Sequence, residues 1–215
     1  MKQTKWICAS SLLLVCTSIV PAETDKPRGT ALMAQTSVAP THQTGPEDPA
    51  TLDAQRERLA LQILLRSMTK EIVSAADAMP ADKYGFAPTE GEFRGVRTFG
   101  KQVKHLAATN HILAAAALGE EPPADAGDEL GPETIRTKAA IIDYLNGSFA
   151  HLQKAVDAIG DKKLAVRSSP ISPLSANTVT RLALVVEACV HGFNHYGQMV
   201  EYLRMNGVVP PASRR

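Results

Sequence analysis

The chain has 215 residues, with 23 Lys and Arg against 22 Asp and Glu, three cysteines and six histidines. That length suits one domain with extensions or two small domains, and a net charge of +1 shows no basic excess of the kind that marks a nucleic-acid binder. A 44% hydrophobic content is enough to bury a core and excludes a fully disordered chain, while 5% aromatic content with many Ala and Leu favours packed helices over a β-sandwich.

Residues 1–22 read as a secretory signal peptide. Lys2 and Lys5 give a basic start, Trp6 to Val20 is an uncharged apolar run, and Val20-Pro21-Ala22 places small residues at a cleavage position. The run is shorter than the roughly 20 residues that a membrane-spanning helix needs. Two other readings are an uncleaved anchor and lipid attachment at Cys16, for which Val15 is a poor preceding residue. Cleavage near Ala22 places the protein in the periplasm or outside the cell, with no stable membrane insertion. It also removes Cys8 and Cys16 and leaves Cys189 alone, so no internal disulfide forms. Cys189 sits in an apolar helical stretch and reads as a small buried hydrophobe. Residues 23–50 mix Pro, Thr, Gly and charge without an apolar period and read as a flexible linker, with His42 in solvent.

The remaining residues, 51–215, form the expected globular domain. In the first helix Leu59, Ile63, Met68, Ile72, Val73 and Met79 recur at helical spacing until Pro80 stops it. Residues 80–97 are a long connection whose Tyr84, Phe86 and Phe93 suggest packing onto the helices. The second helix is predicted from Thr98 to Leu118, with Phe99, Val103, Leu106, Leu113 and Ala117 inward and Gly119 as its C-cap. The third runs from Pro132 to Ile159, with Ile142, Leu145, Phe149, Leu152, Val156 and Ile159 inward, and Gly160 ends it. After a loop over 161–177, the fourth runs from Thr178 to Met205, with Leu182, Val186, Cys189, Phe193, Val200 and Leu203 inward, before Asn206-Gly207. No strand alternation or internal repeat is evident. The class is all-α, a four-helix bundle.

The histidines carry the chemical signal. His191 and His195, four residues apart, stack on one helix face and can share a metal ion. Gly192 stands where a metalloprotease helix would carry its catalytic Glu. A third ligand must come from elsewhere: His105, His111 or His151. His105 lies at the edge of the second helix's apolar stripe. His111 is six residues on and turned about 120° away, so the two cannot point at one ion. His151 flanks the stripe of the third helix and reads as a half-exposed polar residue.

The segment His191-Gly192-Phe193-Asn194-His195-Tyr196-Gly197-Gln198, with Tyr202-Leu203-Arg204-Met205-Asn206-Gly207 and Pro210-Pro211-Ala212-Ser213 after it, resembles the end of DinB/YfiT-like proteins. Phe99-Gly100, Val103 and His105-Leu106-Ala107 resemble that family's second helix, and Tyr84, Phe86 and Pro88 its first long loop. The resemblance covers about residues 51–213. It implies a four-helix bundle of the DinB/YfiT-like type with an interior divalent-metal site held by His105, His191 and His195, and homodimers as the common assembly. Three imidazoles leave coordination positions open, as catalytic sites do, and suit zinc, nickel, iron or copper. Glu187, one turn before His191, reads either as a carboxylate partner for that ring or as a solvated charge. Tyr196 and Gln198 fit a pocket wall or a dimer face, and Tyr84, Phe86 and Arg94 are the loop residues nearest a substrate entrance. The family's activities imply a metal-dependent transferase or hydrolase on a small-molecule substrate. The alternative is a non-enzymatic metal-binding or stress-related bundle.

Overall fold

Each long helix begins at a side-chain oxygen that satisfies an otherwise unpaired backbone N–H. In the computed structural model, which describes residues 48–126, 129–159, 165–167 and 178–214, helix α1 spans Pro49–Ala78, α2 Phe99–Leu118, α3 Lys138–Asp157 and α4 Arg181–Met205. Asp48 caps α1, Thr98 caps α2 at 3.4 Å, Thr137 caps α3 at 3.2 Å and Thr180 caps α4 at 3.1 Å. Gly119, at φ 76°, closes α2 in the left-handed conformation expected of it. Residues 1–22, expected to be a signal, most of the linker expected over 23–50, Gly160 and most of the loop 161–177 lie outside the described residues, and α1 takes in Pro49 and Ala50 of that linker.

The fold is the expected all-α four-helix bundle, with two corrections to its boundaries. α3 starts at Lys138, six residues after Pro132, because Pro132 takes part in a turn instead: its carbonyl accepts from Ile135 N at 3.2 Å and from Lys104 Nζ at 2.9 Å. α4 starts at Arg181, because Thr178–Thr180 forms a short strand, β2, paired antiparallel with β1, Ala165–Arg167. Three-residue strands are too short to show an alternating pattern.

The order of packing is not the order of the chain. α2 packs against α3 and α4, and α1 packs against the same two helices from the other side. Contacts between Gly100 and Ile141, Asn110 and Ser148, and His111 and His151 rise together in number, so α2 and α3 run parallel. Tyr202 donates to the Arg97 carbonyl at 3.2 Å and Gln102 Nε2 donates to the His195 carbonyl at 3.3 Å, so α2 and α4 run antiparallel. The connection 119–137 therefore returns along the length of α2.

The core is aliphatic, as the composition predicts. Leu65, Met68, Ile72, Phe99, Leu106, Leu145, Leu152, Leu184, Met199 and Leu203 are buried. The face of α1 differs from expectation in its first half: Leu61 and Leu65 point inward, while Leu59 and Ile63 are 54% and 57% exposed. Val186 on α4 is 40% exposed. The long connection 80–97 packs as expected at Tyr84 and Phe86 but not at Phe93, which is exposed. Tyr84 donates to the Ala76 carbonyl at 2.7 Å and stacks edge-on against Phe99, and Phe86 packs against Tyr202. Among the described residues no helix is long and apolar enough to cross a membrane.

α1 and α4 are in close contact at Gly192, where an added Cβ would run into the thioether of fully buried Met68. Gly192→Ala is therefore expected to destabilise the bundle by about 1–3 kcal/mol through overpacking, despite the better helix propensity of Ala. Thermal unfolding monitored by circular dichroism measures it, and an unchanged or raised Tm would contradict the close approach.

Candidate metal centre

Antiparallel packing of α2 on α4 brings His105 opposite His191 and His195. His105 Nε2 lies 3.2 Å from His191 Nε2, and His195 Nε2 lies 3.0 Å from His191 Nε2. One ligand atom from each of the three lies within 4.8 Å of the others. His105 and His195 are buried and His191 is half-buried. The sequence-predicted triad therefore converges, and its three nitrogens could hold one ion.

The connection 119–137 fixes the His105 ring. His105 Nδ1 sits 2.9 Å from the Glu129 carbonyl oxygen. A carbonyl only accepts, so Nδ1 carries the hydrogen and Nε2 presents a bare lone pair to the cluster. The Glu129 carboxylate also approaches the same Nδ1, at 3.7 Å. Glu129 has φ 68°, and no other non-glycine among the described residues has a positive φ. A left-handed conformation costs a side-chain-bearing residue roughly 1–2 kcal/mol, a strain of the sort found at functional sites. Sequence reasoning missed Glu129, which reads as one charged loop residue among several.

Three unprotonated imidazole nitrogens at this spacing repel one another unless a cation or proton lies between them. Burial keeps an additional proton off the rings. It lowers the pKa of His105 below 6.5, and together with the neighbouring histidines and Arg97 it takes His191 to about 4 and His195 to about 3. All three rings are thus neutral at pH 7, the form a metal ion binds. The donor set, three neutral imidazoles whose Nε2 atoms converge, fits a divalent transition metal.

The other expected residues divide. Glu187 lines a pocket of about 310 Å³ beside His191, together with Thr109, Leu113, Glu129, Val190 and Asn194. It is not the ring partner of His191, whose Nδ1, like that of His195, has no hydrogen-bond partner among the described residues. Gln198 accepts from Gln102 at 3.2 Å and donates to Asn194, while Tyr196 donates to Glu71 at 2.8 Å and so ties α4 to α1. Arg94 pairs with Glu92 on the surface, and neither it nor Tyr84 nor Phe86 lines this pocket. Cys189 is buried and burial pushes its thiol up to about 11, so it supplies no thiolate at neutral pH.

His111 and His151 stand apart from the triad, as expected, but not from each other. Parallel packing of α2 and α3 turns them toward each other, Nδ1 to Nδ1 at 3.1 Å, and His151 Nε2 lies 3.5 Å from Glu120 Oε2.

Two outcomes follow from the triad. Elemental analysis of the purified protein should find bound metal in the wild type and a large loss in His195→Ala, and equal content in both would remove the site. The unfolded chain, with ordinary histidines near 6.5, binds more protons than the folded chain, whose His191 and His195 titrate at about 4 and 3. The metal-free protein should therefore hold full stability above pH 6.5 and lose it as pH falls toward 4. Urea unfolding across that range measures this, and a flat profile would contradict the buried neutral triad.

No curated protein matches the chain at a significant level. The family model of the DinB superfamily matches residues 64–199, from the middle of α1 to near the end of α4 and including all three histidines. The chain belongs to the DinB superfamily.

Proposed function

We propose that this chain is an exported, metal-dependent transferase or hydrolase acting on a small molecule. The observation that carries the reading is the pocket of about 310 Å³ beside His191, where Thr109, Glu129, Glu187 and Asn194 bring polar groups together. A mostly apolar cleft with a few convergent polar groups is how small-molecule sites are built. Leu113 and Val190 supply the apolar wall. Thr109 Oγ1 is buried with no partner among the described residues, as a group waiting for a ligand would be.

His105, His191 and His195 would hold the ion through their Nε2 atoms. When bound, the ion supplies Lewis acidity, which lowers the pKa of water or of a thiol enough to make a nucleophile at neutral pH. The chain's own groups then bind and orient the substrate. The Glu129 and Glu187 carboxylates accept hydrogen bonds from its donors, and Asn194 offers both a donor and an acceptor. The export signal read in residues 1–22 favours water over a thiol as the nucleophile, since exported compartments hold no large pool of reduced thiol.

A second reading is favoured by the burial of His105 and His195, which leaves His191 alone on the pocket wall. In it the protein is a non-enzymatic metal-binding bundle, including one made in response to stress. We also propose a homodimer, supported by the apolar side chains exposed on α1 (Leu59, Ile63) and α4 (Val186, Val190).

The deciding experiment assays metal-loaded protein against panels of small esters, amides and lactones, and of thiols paired with electrophiles. The enzyme reading expects turnover that chelation abolishes, metal restores and Thr109→Val weakens while metal content is kept. Absence of turnover in both panels from protein with full metal content favours the binding reading. Sedimentation equilibrium should give twice the chain mass, and N-terminal sequencing of protein from an exporting host should begin near Glu23. A monomer, or an intact Met1, would refute the corresponding part.

A further inference from the structure

α2 carries a second histidine that does not face the triad. His111 is six residues from His105, which is about 9 Å along the axis and about 120° around it, so it faces α3 rather than α4. There it meets His151, with 3.1 Å between the two Nδ1 atoms. Two imidazoles on one tetrahedral ion at about 2.0–2.1 Å place their nitrogens about 3.3–3.4 Å apart. Two of the triad's separations are 3.2 Å and 3.0 Å, so the second pair is spaced as His191 is from each of its neighbours.

The surroundings suit a cation. His151 turns its other nitrogen to Glu120 Oε2 at 3.5 Å, the carboxylate–histidine arrangement that orients metal-ligating rings. Asp125 stands on the turn Ala124–Ala126, whose Ala126 packs against Ala108, Ile112 and Tyr144, and its charge is felt at both His111 and Tyr144. The Tyr144 ring lies 5.2 Å from that of His111, and its hydroxyl is buried with no partner among the described residues. Both histidines are half-buried, so an ion can reach them from solvent.

We infer that His111 and His151 form a second metal site, distinct from the triad, which takes one divalent ion of the zinc–copper class between α2 and α3. Their Nδ1 atoms are the protein ligands, His151 is oriented by Glu120, and water completes the coordination. With two imidazoles instead of three, this site binds more weakly than the triad. It does not depend on the chain being an enzyme.

The test is calorimetric titration of the chelator-stripped full chain with Zn²⁺ alone. Two equivalents should bind to the wild type, the second more weakly. His151→Ala and His111→Gln should each bind one, with the tighter affinity unchanged. One equivalent in the wild type, or a second equivalent that survives both substitutions, overturns the proposal and leaves the two rings joined only by an N–H···N hydrogen bond. Circular dichroism checks that the variants keep their helices. Should they not, histidine ring ¹⁵N spectra of the wild type decide: the second equivalent should shift the Nδ1 resonances of His111 and His151, and unshifted resonances overturn the site.

Discussion

Two helices that follow one another in sequence and lie side by side in parallel cannot be joined by a short turn. α2 and α3 are such a pair, and α2 is about 30 Å long. The connection 119–137 has slack to spare for that return, since an extended chain covers up to 3.3–3.6 Å per residue. It uses the slack to lie against α2 in reverse order: Ala126 over Ala108 and Ile112, Glu129 against His105, and Pro132 against Lys104. The histidine cluster is thus made by more than α2 and α4. A residue of this connection, Glu129, sets the tautomer of one ligand and adds a carboxylate to the lining of the pocket. The parallel pairing also brings His111 to His151.

α2 is the helix on which the rest is built. Most of its residues are buried, including Gln102, His105, Thr109 and Asn110. A helix buried on nearly all sides is normally apolar throughout, and the run Ala114–Ala117 follows that rule. The polar residues depart from it in a patterned way. Asn110 donates to Ser148 on α3, and Gln102 donates to the His195 carbonyl and to Gln198 on α4. Each buried polar group that finds a partner this way specifies the register of α2 against a neighbour, which an Ala- and Leu-rich surface alone leaves loosely defined.

Much of this was legible in the sequence, and the exceptions have physical causes. Helix number, the stop at Pro80 and the Gly119 cap follow from local chemistry, and the triad from spacing together with the family resemblance. The face of α1 was misread at Leu59 and Ile63 because, at its open end, apolar residues lie on both candidate stripes. Pro132 is a sound first-turn residue, but a turn bond from Ile135 and a tertiary bond from Lys104 claim its carbonyl, and α3 starts at Lys138. His111 and His151 are 40 residues apart and meet only through the parallel packing of α2 and α3. Nothing local announces Glu129, whose role depends on where the return path crosses α2.

The unequal treatment of the three rings has a consequence for how the site fills. His105 is held in one tautomer by the Glu129 carbonyl, while the Nδ1 atoms of His191 and His195 have no acceptor among the described residues. Nothing local then prevents those two rings from placing their hydrogen on Nε2, where it blocks coordination. Only the fraction of metal-free molecules with both hydrogens on Nδ1 can take an ion at once, and the apparent affinity falls in proportion to that fraction. A protein acceptor beside either ring would make the site tighter. As built, the tautomer equilibrium of two rings stands between the folded chain and a bound ion.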